Sequence, residues 1–164
     1  MSFPRMSTIR DPDQFRQRAR ELGLTLPLDD RLDQGESAVL AQPLQSRCGT
    51  IGNRFCILPM EGWDGTDDGR PTDLTRRRWQ NFGLSGAKLI WGGEAVAVRQ
   101  DGRANPRQLL ISEQNLSDLE SLRLLLEDTH RAHFGTTRDL QIGLQLTHSG
   151  RYAKPSSQIG RAHV

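Results

Sequence analysis

Three short apolar runs, Arg54–Leu58, Ala87–Trp91 and Leu140–Leu146, constrain the fold of this chain most strongly. Their length and content read as buried strands, and the segments between them carry helical spacing. Pro59 closes the first run, and Gly92-Gly93 ends or bends the second. Pro71-Thr72-Asp73 is a helix start, with Leu74 to Phe82 following as a short helix. Ser117 opens a longer helix, with Glu120 three residues on as a capping box, and Gly135 stops it. Leu119, Leu122, Leu126 and Thr129 fall on one face of that helix. Val96 to Val98 is a further short apolar patch, and Asp101-Gly102 a turn. Strand, helix, strand, helix, strand in this order predicts α/β units with a parallel sheet and right-handed crossovers. The pattern alone fits a doubly wound sheet and the start of a (β/α)₈ barrel equally well.

Ahead of these units, residues 1–45 read as a polar leader. Within it, Asp11-Pro12-Asp13 starts a helix that places Phe15, Ala19 and Leu22 on one face and stops at Gly23. Thr25 to Gln45 is expected to be irregular.

Composition narrows the function classes. A chain of 164 residues is about one domain, and 35% apolar residues with 16 glycines allow a core. Twenty-two basic against 20 acidic residues give a net charge of +2, without the clustered basic face that nucleic acid demands. Arg76-Arg77-Arg78 reads as a solvated helix face. No run reaches the roughly 18 apolar residues of a membrane span, and Met1 to Arg5 leads into no signal-peptide core. Two cysteines give no disulfide framework; Cys56, inside an apolar run, is expected to be a buried thiol. A cytoplasmic location with a small-molecule substrate, and neither nucleic acid nor membrane as partner, is the expectation.

In either parallel architecture ligands bind at the C-terminal ends of the strands. Here those ends are Pro59-Met60-Glu61, Gly92-Gly93-Glu94-Ala95 and Gln145-Leu146-Thr147-His148-Ser149-Gly150-Arg151. Small residues, one amide and few charges suit a flat heterocycle better than hydrolysis. There is no G-x-G-x-x-G after a strand, no P-loop, no G-x-S-x-G and no H-E-x-x-H. His130 and His133 lack a third ligand in sequence and read as a polar helix face, so no metal is assigned. Trp79 and Trp91 read as packing residues.

Together these residues resemble a known family. Asn53-Arg54-(x₄)-Pro59-Met60, then Leu89-Ile90 with Glu94-Ala95, then Gln145-Leu146-x-His148-x-Gly150-Arg151, is similar to the Old Yellow Enzyme family over roughly residues 45–153. The resemblance implies an FMN-dependent, NAD(P)H-using oxidoreductase on a TIM barrel that reduces activated alkenes through the flavin. It implies that Pro59, Met60 and Glu61 run along the flavin, that Ala95 touches it, and that Gln145 meets its pyrimidine edge. An amide both donates and accepts, as that edge requires. Glu61 departs from the Thr or Cys usual in the family, and an ionised carboxylate there disfavours further negative charge on a reduced ring. Trp63 falls near a substrate-facing aromatic position.

Three βα units are an incomplete barrel, since eight strands and typically about 250 residues close one. The domain reading is therefore a leader over 1–45 and a partial FMN-binding barrel over 46–158. Residues 159–164, Ile-Gly-Arg-Ala-His-Val, read as a translated sequencing adapter and a non-native tail. No catalytic residue is assigned within the chain, and the fragment alone is expected to be inactive. The full-length protein is compatible with a homo-oligomer. Two rival readings remain: a non-catalytic α/β binding module, and an iron–sulfur dienoyl-reductase type within the same superfamily.

Overall fold

The computed structural model describes residues 5–156, so the tail at 159–164 lies outside the described residues. They fall into two compact units that part between Ala38 and Val39. In the first, helix α1 spans Pro12–Glu21. Asp11 caps it by accepting from the Gln14 N–H at 2.8 Å, Pro12 sits in the first turn, and Ala19 is its buried residue.

The second unit holds the rest. A hairpin of β1 (Leu44–Ser46) and β2 (Gly49–Ile51) precedes a parallel sheet of β3 (Cys56–Ile57), β4 (Leu89–Ala97) and β5 (Gln141–Thr147), in the order β3-β4-β5. Helix α2 (Asp73–Leu84) connects β3 to β4, and α3 (Leu116–Phe134) connects β4 to β5. This is an open parallel α/β sheet of two complete crossovers, the arrangement of a partial (β/α)₈ barrel.

One face of the sheet is covered and the other is open. Trp79, Ile90, Val96, Leu119, Leu122 and Leu126 form the core between sheet and helices, with Ile57 and Ile142 packed against it. Strand alternation turns the neighbours of these residues to the open face. Trp91, expected to pack in the core, is therefore 55% exposed beside Gly143, whereas Trp79 is fully buried. Cys56 is likewise exposed rather than a buried thiol, because Ile57 takes the helix side of β3. The edge strand β5 alternates in sequence, Leu140-Gln141-Ile142-Gly143-Leu144-Gln145, as a one-sided strand does.

Several boundaries differ from the sequence expectation. The first strand is two residues long, as Pro59 has no N–H to continue a ladder. The second does not end at Gly92-Gly93; it bulges between Trp91 and Ala95 and runs on to Ala97, absorbing the patch at Val96. Helix α2 starts at the expected place, with Thr72 and Thr75 forming the capping box. The N-cap of helix α3 (Leu116–Phe134) is Asn115, two residues before the expected Ser117, and Ser117 and Glu120 make no box. The Asn115 amide instead donates to the carbonyls of Asp68 and Leu110, and Glu120 pairs with Arg123. The hairpin 44–51 was illegible because each strand is only three residues and mostly exposed.

At the N-terminal end of the sheet, Lys88 joins the strands to α3. Its ammonium lies 2.9 Å from Asp139 Oδ1 and 3.0 Å from His130 Nε2. The other ring nitrogen, Nδ1, is 3.0 Å from the Gly83 carbonyl. An ammonium only donates, so Nε2 accepts and Nδ1 carries the proton. His130 is thus a fully buried bridge between α3, α2 and β4 rather than part of a polar helix face. Burial, aided by the Lys88 charge, lowers its pKa.

Stability should therefore depend on pH through His130. The unfolded imidazole titrates near its ordinary value of about 6.5, while the folded one resists protonation below it. Its contribution is full above about pH 6.5 and is lost as pH falls from there through the lowered folded value. Denaturation midpoints at pH 7.5 and 5.5 should differ more for the native chain than for His130→Gln; equal differences would remove His130 from the account. Trp79→Ala should cost about 3–5 kcal/mol in the same assay, against less than about 1 kcal/mol for Trp91→Ala.

Candidate functional site

The three strand ends meet at one place. The Ala95 N–H donates to the Met60 carbonyl at 2.9 Å, and Ala95 is the register partner of Gln145. Gly92 lets them close. Its φ is +71°, and a Cβ there would lie 2.8 Å from the Gln145 nitrogen and 3.0 Å from Pro59 Cβ. Any other residue would strain the turn and push the flanking strands apart. Pro59, Met60, Ala95 and Gln145 are thereby brought together. Ala95 is buried, Met60 is 71% exposed, and Gln145 is exposed with no hydrogen-bond partner for its side chain among the described residues.

A second amide, this one buried, supports this point from behind. Gln108 donates from Nε2 to the Ala95 carbonyl at 2.8 Å and to Thr147 Oγ1 at 3.1 Å. It stands in the loop after β4, whose segment 109–111 bonds back to Ala97. The same loop supplies Arg103, a fully buried guanidinium with no carboxylate acceptor among the described residues. Arg103 donates to the carbonyls of Thr66, Asp67 and Gln108, and burial lowers its pKa. His148 packs so closely on Gly102 that a Cβ there would lie 2.4 Å from its ring. The Ser149 N–H donates to the Gly102 carbonyl at 2.8 Å, so the loop after β5 is docked on the loop after β4.

Glu61 and Trp63 lie beside the strand ends. Both are exposed and line a cavity of about 420 Å³ with Met60, Asp64, Arg78 and Phe82, against helix α2. Arg78 is no solvated helix residue: it reaches Asp64 through two nitrogens, at 2.7 and 2.9 Å, and Glu94 at 2.6 Å. Glu94 is fully buried, and its other oxygen accepts from the Gly62 N–H at 2.8 Å. Burial pushes the Glu94 carboxyl up against the pull of Arg78. At Asp64 burial is outweighed by the Arg78 hydrogen bonds and charge, and the carboxyl sits below its usual range. Arg78, Arg103 and Gln108 have no sequence signature of a site, since only the fold brings them to the strand ends; Glu94 stands in a strand-end motif, but its ion pair with Arg78 is visible only in the fold.

A larger cavity lies elsewhere. A groove of about 660 Å³ runs between α3 and β5, lined by Trp79, Ile111, Leu116, Leu119, Ile142 and Leu144. Size alone favours it as a ligand site. Its apolar lining and its place on the helix side of an edge strand instead match the seat of the next helix in a (β/α)₈ barrel. Among the described residues no group of three or more His, Cys, Asp or Glu is placed to hold a metal ion. No helix among them is long and apolar enough to cross a membrane.

No protein-family model and no curated protein sequence matches the chain. Solved structures do. A 2-naphthoyl-CoA reductase in complex with 2-naphthoyl-CoA superposes with a TM-score of 0.57 at 18% identity, over 71% of this chain and 16% of that one. The old yellow enzyme from Trypanosoma cruzi gives 0.54 at 22% identity, over 70% of this chain and 28% of that one. The old yellow enzyme homologue from Zymomonas mobilis gives 0.55 at 24% identity, over 68% and 28%. The matched region thus spans less than a third of the length of these proteins. Over about 70% of its length the chain has the fold of part of the old yellow enzymes, as the strand-end motifs led us to expect.

Proposed function

We propose that this chain is the flavin-edge portion of an FMN-dependent oxidoreductase that takes reducing equivalents from NAD(P)H and reduces an activated alkene. The observation that carries the reading is the convergence of Met60, Ala95 and Gln145 at one strand-end point, with no hydrogen-bond partner for the Gln145 side-chain amide among the described residues.

The residues present fit one edge of a flat heterocycle. Gln145 offers a donor and an acceptor on one planar group, matching a pyrimidine edge that carries both. Ala95 supplies a small, buried surface against which a ring can lie, and Gly92 keeps the neighbouring strands close enough to form it. Pro59 and Met60 supply a wall on the β3 side, held to β4 by the Ala95–Met60 hydrogen bond. Trp63 stands at the rim with an exposed aromatic face suited to an unsaturated substrate. Glu61 lines the α2-side cavity and is the rim group that sets charge beside the site. When bound, FMN supplies the hydride acceptor and donor; the chain's residues bind its edge and shape the approach to it.

Gln145→Ala tests the assignment. The side chain is exposed, so thermal stability should shift by no more than about 0.5 kcal/mol. Quenching of flavin fluorescence should show FMN affinity at least ~10-fold weaker, the value of one lost hydrogen-bonding group in a binding site. Unchanged FMN affinity in this variant would contradict the role of Gln145.

A further inference from the structure

The segment Met60–Asp64 is exposed at several of its side chains, yet its backbone is pinned by ionic and polar groups from three other elements. From β4, the Glu94 carboxylate accepts the Gly62 N–H at 2.8 Å, and the Ala95 N–H reaches the Met60 carbonyl. From the loop after β4, the Asn105 amide donates to the Gly62 carbonyl at 3.1 Å. From α2, Arg78 spans Asp64 and Glu94, while Thr72 and Thr75 both donate to the Asp64 carbonyl. Strand alternation makes this possible: it sends Glu94 toward α2 and leaves Ala95 to the strand-end site.

A buried ion pair contributes little to stability compared with apolar packing of the same volume, but it fixes geometry. Arg78 here lies between two carboxylates, so one can be neutralised and the guanidinium still keeps a partner. The array is therefore built to hold position: its shorter bonds end on the rim or on Glu94, the strand residue next to Ala95, and Arg78 also donates to the Gly93 carbonyl at 3.4 Å.

We propose that Glu94 and Arg78 are positioning residues of the strand-end site: together they hold Gly62, and with it the Met60–Asp64 rim, in the geometry that receives the ligand. The identity of that ligand as a flavin rests on the function proposed above; the tether itself does not.

Glu94→Gln tests this in the full chain. It keeps the volume and an acceptor near Gly62, and the bidentate Arg78–Asp64 pair still neutralises the guanidinium, so the fold is expected to persist. Amide hydrogen exchange should quicken at least ~10-fold across 61–65 while the β4 and β5 amides keep their native rates. FMN affinity, read by fluorescence quenching, should weaken by a similar factor. Arg78→Lys retains charge but not the planar fork, and should reproduce both effects. Unchanged exchange at 61–65 overturns the tether, and so does a uniform rise across the whole chain in both variants. Faster rim exchange with native FMN affinity overturns the positioning role and leaves the flavin reading intact. If the native chain binds no FMN, the flavin reading fails, and the exchange pattern alone decides for or against the tether.

Discussion

At Gly92 the backbone of β4 turns to a positive φ and passes within contact distance of both neighbouring strands. The site geometry depends on that close passage. The bulge it creates offsets β4 so that Ala95, rather than a residue nearer the strand start, stands opposite Gln145 and beneath the Met60 carbonyl. A side chain at this position would open the β3–β4 and β4–β5 gaps together. The bulge also explains why β4 is long: pairing resumes at Ala95 and carries Val96 into the core. Packing of Ile90 and Val96 against α2 and α3, and the convergence of the three strand ends, thus come from a single irregular strand.

Polar groups do at this end what apolar groups do in the core. Arg78, Glu94, Arg103, Asn105 and Gln108 are buried or half-buried, and each makes at least one hydrogen bond to the backbone or a side chain of another loop, strand or helix. A surface loop carries unsatisfied backbone groups unless such partners exist. The loops after β3 and β4 are consequently ordered around the strand ends without an apolar core of their own. The opposite end of the sheet uses the same device once, in Lys88, His130 and Asp139, where it joins α3 to β4 and the start of β5.

Much of this was legible in the residues. The three apolar runs, the helix between 73 and 84, Pro12 and Asp11 at α1, and the strand-end motifs all follow from local chemistry that leaves a mark at short range. What was not legible depends on partners far along the chain. Arg78 looks like one of three solvated arginines until Asp64 and Glu94 arrive from other elements. Trp91 and Cys56 look like core residues because an apolar run does not say which face will be covered; here one face of the sheet is open. Gly92-Gly93 signals a break, and only the pairing with β5 shows that the strand resumes. Asn115 displaces Ser117 as the helix start because its amide ties two loops together.

The central claim is that the strand ends form one edge of a flavin site. Amide chemical-shift mapping with added FMN tests it most directly. The account predicts perturbations grouped at 60–63, 92–95 and 145–148, with the hairpin 44–51 silent. Shifts gathered instead along the apolar groove at 111–123 and 142–144, or none at all at saturating FMN, would contradict it.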